Sequence, residues 1–245
     1  VLSHPPGQLR TSESCQSITT STLTRAAAIA AALSGLIYIV IQFIHPADEV
    51  DSLTTQAWVS VHSLSFGMAV LGMVGITGIY LRQVRQFGLL GLIGYAMFGL
   101  FFILQSAFVF AEAFIAPLIG VDAPQLAEDF VGLFGRHQAV TDLGPLAALP
   151  LVGAGVYVVG AILFGVAILR ARVLSRGAGI LLIAAAAVTP IAGALLPHTL
   201  ERMAAIPMGL ALIWLGYSLW SDQRRHAAQT SSGEQASRLD RTPAI

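Results

Sequence analysis

Six long apolar runs, parted by polar connections, set the architecture of this chain. They cover about residues 25–45, 57–81, 88–117, 146–169, 177–196 and 204–220. Crossing the hydrocarbon core of a bilayer takes roughly 20 apolar residues in a helix. A helix also satisfies its own backbone hydrogen bonds in lipid. Transmembrane strands alternate apolar and polar positions, and these runs do not. The pattern predicts an all-α fold: a polytopic membrane helix bundle with about six transmembrane helices.

Arginine punctuates the connections unevenly. Arg10 and Arg25 precede the first run, and Arg82 and Arg85 join the second to the third. Arg170, Arg172 and Arg176 join the fourth to the fifth, while Arg224, Arg225, Arg238 and Arg241 follow the sixth. Only Arg136 and Arg202 fall on the other side. Basic residues favour the cytoplasmic face. The expectation is a multi-pass protein of the cell membrane with both termini cytoplasmic. The opposite side collects acids: Asp48, Glu49, Asp51, Asp122, Glu128, Asp129, Asp142 and Glu201. They read as ordinary loop solvation.

Composition fits this picture. Of 245 residues, 56% are hydrophobic and 11% are charged, against about 25% charged in a soluble domain. The formal net charge of +0 hides this asymmetry, no nucleic-acid partner is expected, and all 13 basic residues are arginine. The single Cys15 cannot close an internal disulfide. Three segments follow: a disordered cytoplasmic N-terminal tail over 1–24, a six-helix transmembrane domain over 25–220, and a disordered cytoplasmic C-terminal tail over 221–245. The lipid bilayer is the first partner, and oligomeric state is not legible.

Local patterns refine the runs. In the long third connection, Asp122 can cap a short helix with Pro124 in its first turn. Leu126, Phe130, Leu133 and Phe134 then recur at helical spacing. They predict a short amphipathic helix on the outer surface, either a lid or a loop resting on lipid. Gly72, Gly75, Gly78, Gly88, Gly91 and Gly94 provide for close helix packing. Thr189-Pro190 should kink the fifth helix. Residues 70–92 align with 158–180 at a shift of 88, pairing Gly72 with Gly160 and Arg82 with Arg170. This is a candidate parallel repeat of a helix pair.

The stretches GVAILRARVLSRGAGILLI, GIYLRQVRQFGLLGLIGY and FAEAFIAP resemble a recurring, uncharacterised six-helix integral membrane protein family of high-GC actinobacteria. The resemblance covers most of the helical region and rests on compositional motifs. It implies the same bacterial membrane topology and no activity. No Walker loop, His-Glu-x-x-His pair or cysteine pair is present.

Ionisable residues within or beside a span are functional suspects by default. His45, His62, Glu112 and His198 come from four runs but fall near one depth, at the end away from the arginines. Ser34, Tyr38, Gln42 and His45 lie along one helix face, and so do Gln105 and Glu112. Buried amides need partners, so both stripes should face the bundle interior. Three functions are compatible. Tyr38, Gln42, Gln105 and Glu112 could line an outward-facing pocket for binding or transport of a small polar or cationic molecule. His45, His62, Glu112 and His198 could instead hold a metal, with zinc or haem as cofactor of a membrane enzyme. In the third, the same residues cap helices and pair across loops in a non-enzymatic scaffold or regulatory protein.

Overall fold

The computed structural model describes residues 19–134, 138–196 and 202–240. Helix α1 spans Thr20–Ile44. One helical segment, Gln56–Phe114, contains a residue with non-helical dihedrals, Gly88. That residue divides it into α2, residues 56–87, and α3, residues 89–114. Short helices α4, Ala116–Asp122, and α5, Pro124–Val131, follow. The long helices resume with α6, Leu149–Ala171, α7, Arg176–Leu195, and α8, Ile206–Asp240. Among the described residues there is no strand.

Five of these segments are long and apolar enough to cross a membrane. The longest, Gln56–Phe114, has 59 residues, far more than the roughly 20 a span requires. Gly88 resolves the excess. Its φ of 57° and ψ of −159° lie in a region essentially reserved for glycine, and they reverse the chain. Contacts across the turn run antiparallel. The Tyr80 and Tyr95 rings stack at 4.5 Å, the Phe66 and Phe110 rings meet at 5.9 Å, and the Trp58 indole reaches the Glu112 carbonyl oxygen. The segment is a helical hairpin.

The six long helices form a ring, each touching the next, with α8 returning to α1. Small residues set the spacing. A Cβ on Gly94 would lie 2.5 Å from the Phe164 backbone nitrogen, and one on Gly160 would strike Phe98. The α3–α6 contact is thus backbone against backbone. Leu89, Leu118, Leu151 and Tyr217 stand exposed. An apolar exterior of this extent is matched to lipid rather than water.

Several boundaries differ from those the sequence predicts. Helix α1 starts at Thr20, ahead of residue 25, because the Thr19 hydroxyl caps it by accepting from the Thr22 amide at 3.2 Å. Helix α8 continues past Trp220 to Asp240, so 221–240 is helical rather than a disordered tail. Arg, Ala and Gln, all strong helix formers, fill its first turns beyond the apolar face. Asp122 ends α4 instead of capping α5; the N-cap is Ala123, with Pro124 in the first turn. Helix α7 stays helical through Pro190. The two turns of the candidate repeat are built differently. The first pivots on Gly88, which aligns with Arg176. The second carries its left-handed residue at Arg172 and restarts at a Ser175 cap.

Candidate functional site

The ring encloses a cavity of about 370 Å³ at the end away from Gly88. It is lined by Tyr38 and Gln42 of α1, His45 and Asp48 just after it, His62 and Ser65 of α2, and Gln105 and Glu112 of α3. Thr189 and Gly193 of α7 and Arg202 complete the polar wall. All four residues expected to line a pocket therefore border one space, and so do His45 and His62. His198, the last of the expected metal set, lies outside the described residues.

Helical spacing delivers these groups. On α1 the stripe turns inward: the Ser34 hydroxyl donates to the Met68 carbonyl oxygen at 2.9 Å, and Gln42 Nε2 donates to the Tyr38 carbonyl oxygen at 2.9 Å. At the start of α2, Thr55 caps the helix by accepting from the Trp58 amide. The Trp58 indole is fully buried and donates to the Glu112 carbonyl oxygen at 2.7 Å. One side chain thus ties the two arms of the hairpin at the depth of the cavity.

His62 and Glu112 form the cavity's inner pair, 1% and 7% exposed. His62 Nδ1 lies 2.9 Å from the Trp58 carbonyl oxygen. A carbonyl only accepts, so Nδ1 carries a proton and Nε2 of the neutral ring is an acceptor. Nε2 lies 3.6 Å from Glu112 Oε2, too far for a hydrogen bond. It is buried without a hydrogen-bond partner among the described residues. The His62 ring stacks on Trp58 at 4.0 Å, which fixes its direction.

The cavity mouth is charged. Arg202 pairs with Asp48, and His45 Nδ1 donates to the Pro46 carbonyl oxygen at 2.7 Å. Val131 and Phe134 close one side, carried on α5 and the 3-10 turn after it. Helix α5 covers the bundle end, packed through Ala127 and Val131 against Leu53, Trp58 and Ala116. Asp129 is fully buried within it. Its carboxylate accepts from Gln125 Nε2 at 3.1 Å and from the amides of Val140 and Thr141 at 3.2 and 2.7 Å. Asp129 is therefore no loop-solvating acid; it holds the next loop against the cover.

Sequence reasoning missed Asp48, Arg202, Trp58, Ser65 and Thr189. One signal was available: Arg202 is an arginine on the acidic side, where a partner is needed. Of the expected metal set, the described residues include His45, His62 and Glu112. Among the described residues no three His, Cys, Asp or Glu side chains converge to hold a metal ion. The His45 and His62 rings touch edge to face at 5.0 Å, an ordinary ring-contact distance.

The chain matches no family profile, no curated protein and no solved structure.

Proposed function

We propose that this is a multi-pass integral membrane protein whose end cavity binds a small organic cation, an amine carrying N–H donors. The arginine-rich connections face the cytoplasm under the positive-inside rule, so the cavity opens to the outer side.

The observation that carries the proposal is the His62–Glu112 pair. A neutral imidazole nitrogen and a carboxylate held ionised by a cation beside it are both acceptors. Set 3.6 Å apart in a buried wall, they call for a donor that can address both. A primary ammonium has three donors and a positive charge. Burying a polar group without a hydrogen bond is costly, and an ammonium between the two would satisfy both acceptors. The rim supports the same sign. Asp48 and Arg202 offset each other, and no arginine pairs with Glu112 among the described residues. Met68, Phe108 and Phe134 supply apolar wall for the carbon part of the ligand. A volume of about 370 Å³ falls in the range of ligand pockets, about 300–1,000 Å³.

Trp58 provides a reporter because it stacks on His62. In the full chain reconstituted in nanodiscs, n-butylamine should change tryptophan fluorescence saturably, and n-butyrate should not. Equal response to both, or none to the amine, would refute amine binding.

A further inference from the structure

A second cavity, of about 210 Å³, lies beside the first. The two share five wall residues: Tyr38, Gln105, Phe108, Phe134 and Thr189. They are neighbouring chambers divided by a common set of side chains. The inner chamber carries the acid and the imidazole. The annex is mostly apolar, with Phe101, Leu104, Leu149 and Pro150 among its walls.

The partition has a polar girdle. The Tyr157 hydroxyl and the Thr189 hydroxyl are 3.1 Å apart, and Thr189 donates to the Ala185 carbonyl oxygen at 2.9 Å. Gln105 borders both chambers. Beyond the girdle, small residues make the space. A Cβ on Gly153 would meet only Phe134, at 3.9 Å, and Ala154 beside it lines the annex and is exposed. The neighbouring Leu151 and Val152 are exposed apolar side chains. The annex therefore gives onto the apolar exterior of the ring, whereas the first chamber lies under the charged mouth.

We infer that the ligand is a single-chain amphiphilic amine, whose ammonium sits between His62 and Glu112 and whose apolar chain runs past Tyr38, Gln105 and Phe108 into the annex. The inference rests on the proposed amine-binding role. Geometry selects the class. A small hydrophilic amine would leave an apolar chamber beside it unused. An acyl chain without an amine would leave the two acceptors unaddressed. The annex is of a size for one chain or ring, not for the paired chains of a phospholipid. Entry by way of the lipid-facing side suits a molecule that partitions into the bilayer first.

The test uses the full chain in phosphatidylcholine nanodiscs and a dodecylamine analogue carrying a diazirine at the end of its chain. On irradiation, label should concentrate in residues 149–157, and excess n-butylamine should displace it. Gly153→Leu, which places a side chain in the annex, should abolish that labelling while the fluorescence response to n-butylamine persists. Gly155→Leu is the control, because a Cβ there meets nothing within 4 Å; labelling should survive. If Gly153→Leu does not fold, Ala154→Phe at the annex rim replaces it, with the same expected loss. Label spread over the lipid-facing helices and indifferent to n-butylamine, with n-butylamine itself still binding, would overturn the amphiphile and leave the amine site standing. Failure of n-butylamine to bind the unmodified protein would overturn both.

Discussion

His62 Nε2 stands 3.6 Å from Glu112 Oε2, each side chain nearly closed to solvent and each carried by a different arm of one helical hairpin. The hairpin makes this possible. Gly88 reverses the chain, so the start of α2 returns to the end of α3. The Trp58 indole then locks the two ends together through the Glu112 carbonyl oxygen.

Trp58→Phe keeps most of the packing and removes that hydrogen bond. Loss of a donor to a buried acceptor costs about 1–3 kcal/mol. The expected outcome is a lower thermal unfolding midpoint together with weaker amine binding, because Glu112 loses its anchor. A calorimetric scan and an amine titration on the same preparation check both. A changed midpoint with unchanged affinity would separate the anchor from the site.

Gly88→Ala tests the hairpin. No atom lies within 4 Å of the added Cβ, so its cost is purely conformational, about 1–3 kcal/mol for a dihedral pair of this kind. Gly67→Ala is the matched control, since it too meets nothing but sits in regular helix. There alanine should stabilise by up to about 1 kcal/mol. Unfolding in denaturant should rank Gly67→Ala above the parent and Gly88→Ala below it.

Much of this was legible in the chain. The α1 stripe of Ser34, Tyr38, Gln42 and His45 turns inward because helical spacing is a local rule, and a span of fixed length keeps its depth. Gln105 and Glu112 follow the same logic on α3. The Asp48–Arg202 pair was not legible, because two loops meet there and no periodicity governs where loops go. Asp129 looked like a solvated acid because it lies in a connection that collects other acids. Its partners include the backbone amides of Val140 and Thr141, more than ten residues further along the chain. The extension of α8 was hidden for another reason. Apolar periodicity stops near Trp220, but the strong helix formers of residues 223–229 carry the helix on.

Asp129→Ala should loosen the cover over the cavity. Two backbone donors, Val140 and Thr141, lose a buried carboxylate acceptor, at a cost of about 1–3 kcal/mol. Their amide hydrogen exchange should accelerate by about tenfold or more, since 1.4 kcal/mol is a factor of ten. Exchange in α3 and α6 should hold. Unchanged protection at Val140 and Thr141 would show that the carboxylate does not hold the loop.

The most direct measurement is calorimetric titration of n-butylamine into the full chain in nanodiscs, for the parent and for Glu112→Gln. Glutamine keeps the shape of the side chain and offers His62 Nε2 a donor, so the thermal midpoint should not fall. Replacing the acid by a neutral amide removes the counter-charge. Hydrogen bonds to charged groups contribute about 1.5–3 kcal/mol, so affinity should fall by about tenfold or more. The account expects that fall with the fold intact. Equal affinity in the two proteins would contradict it.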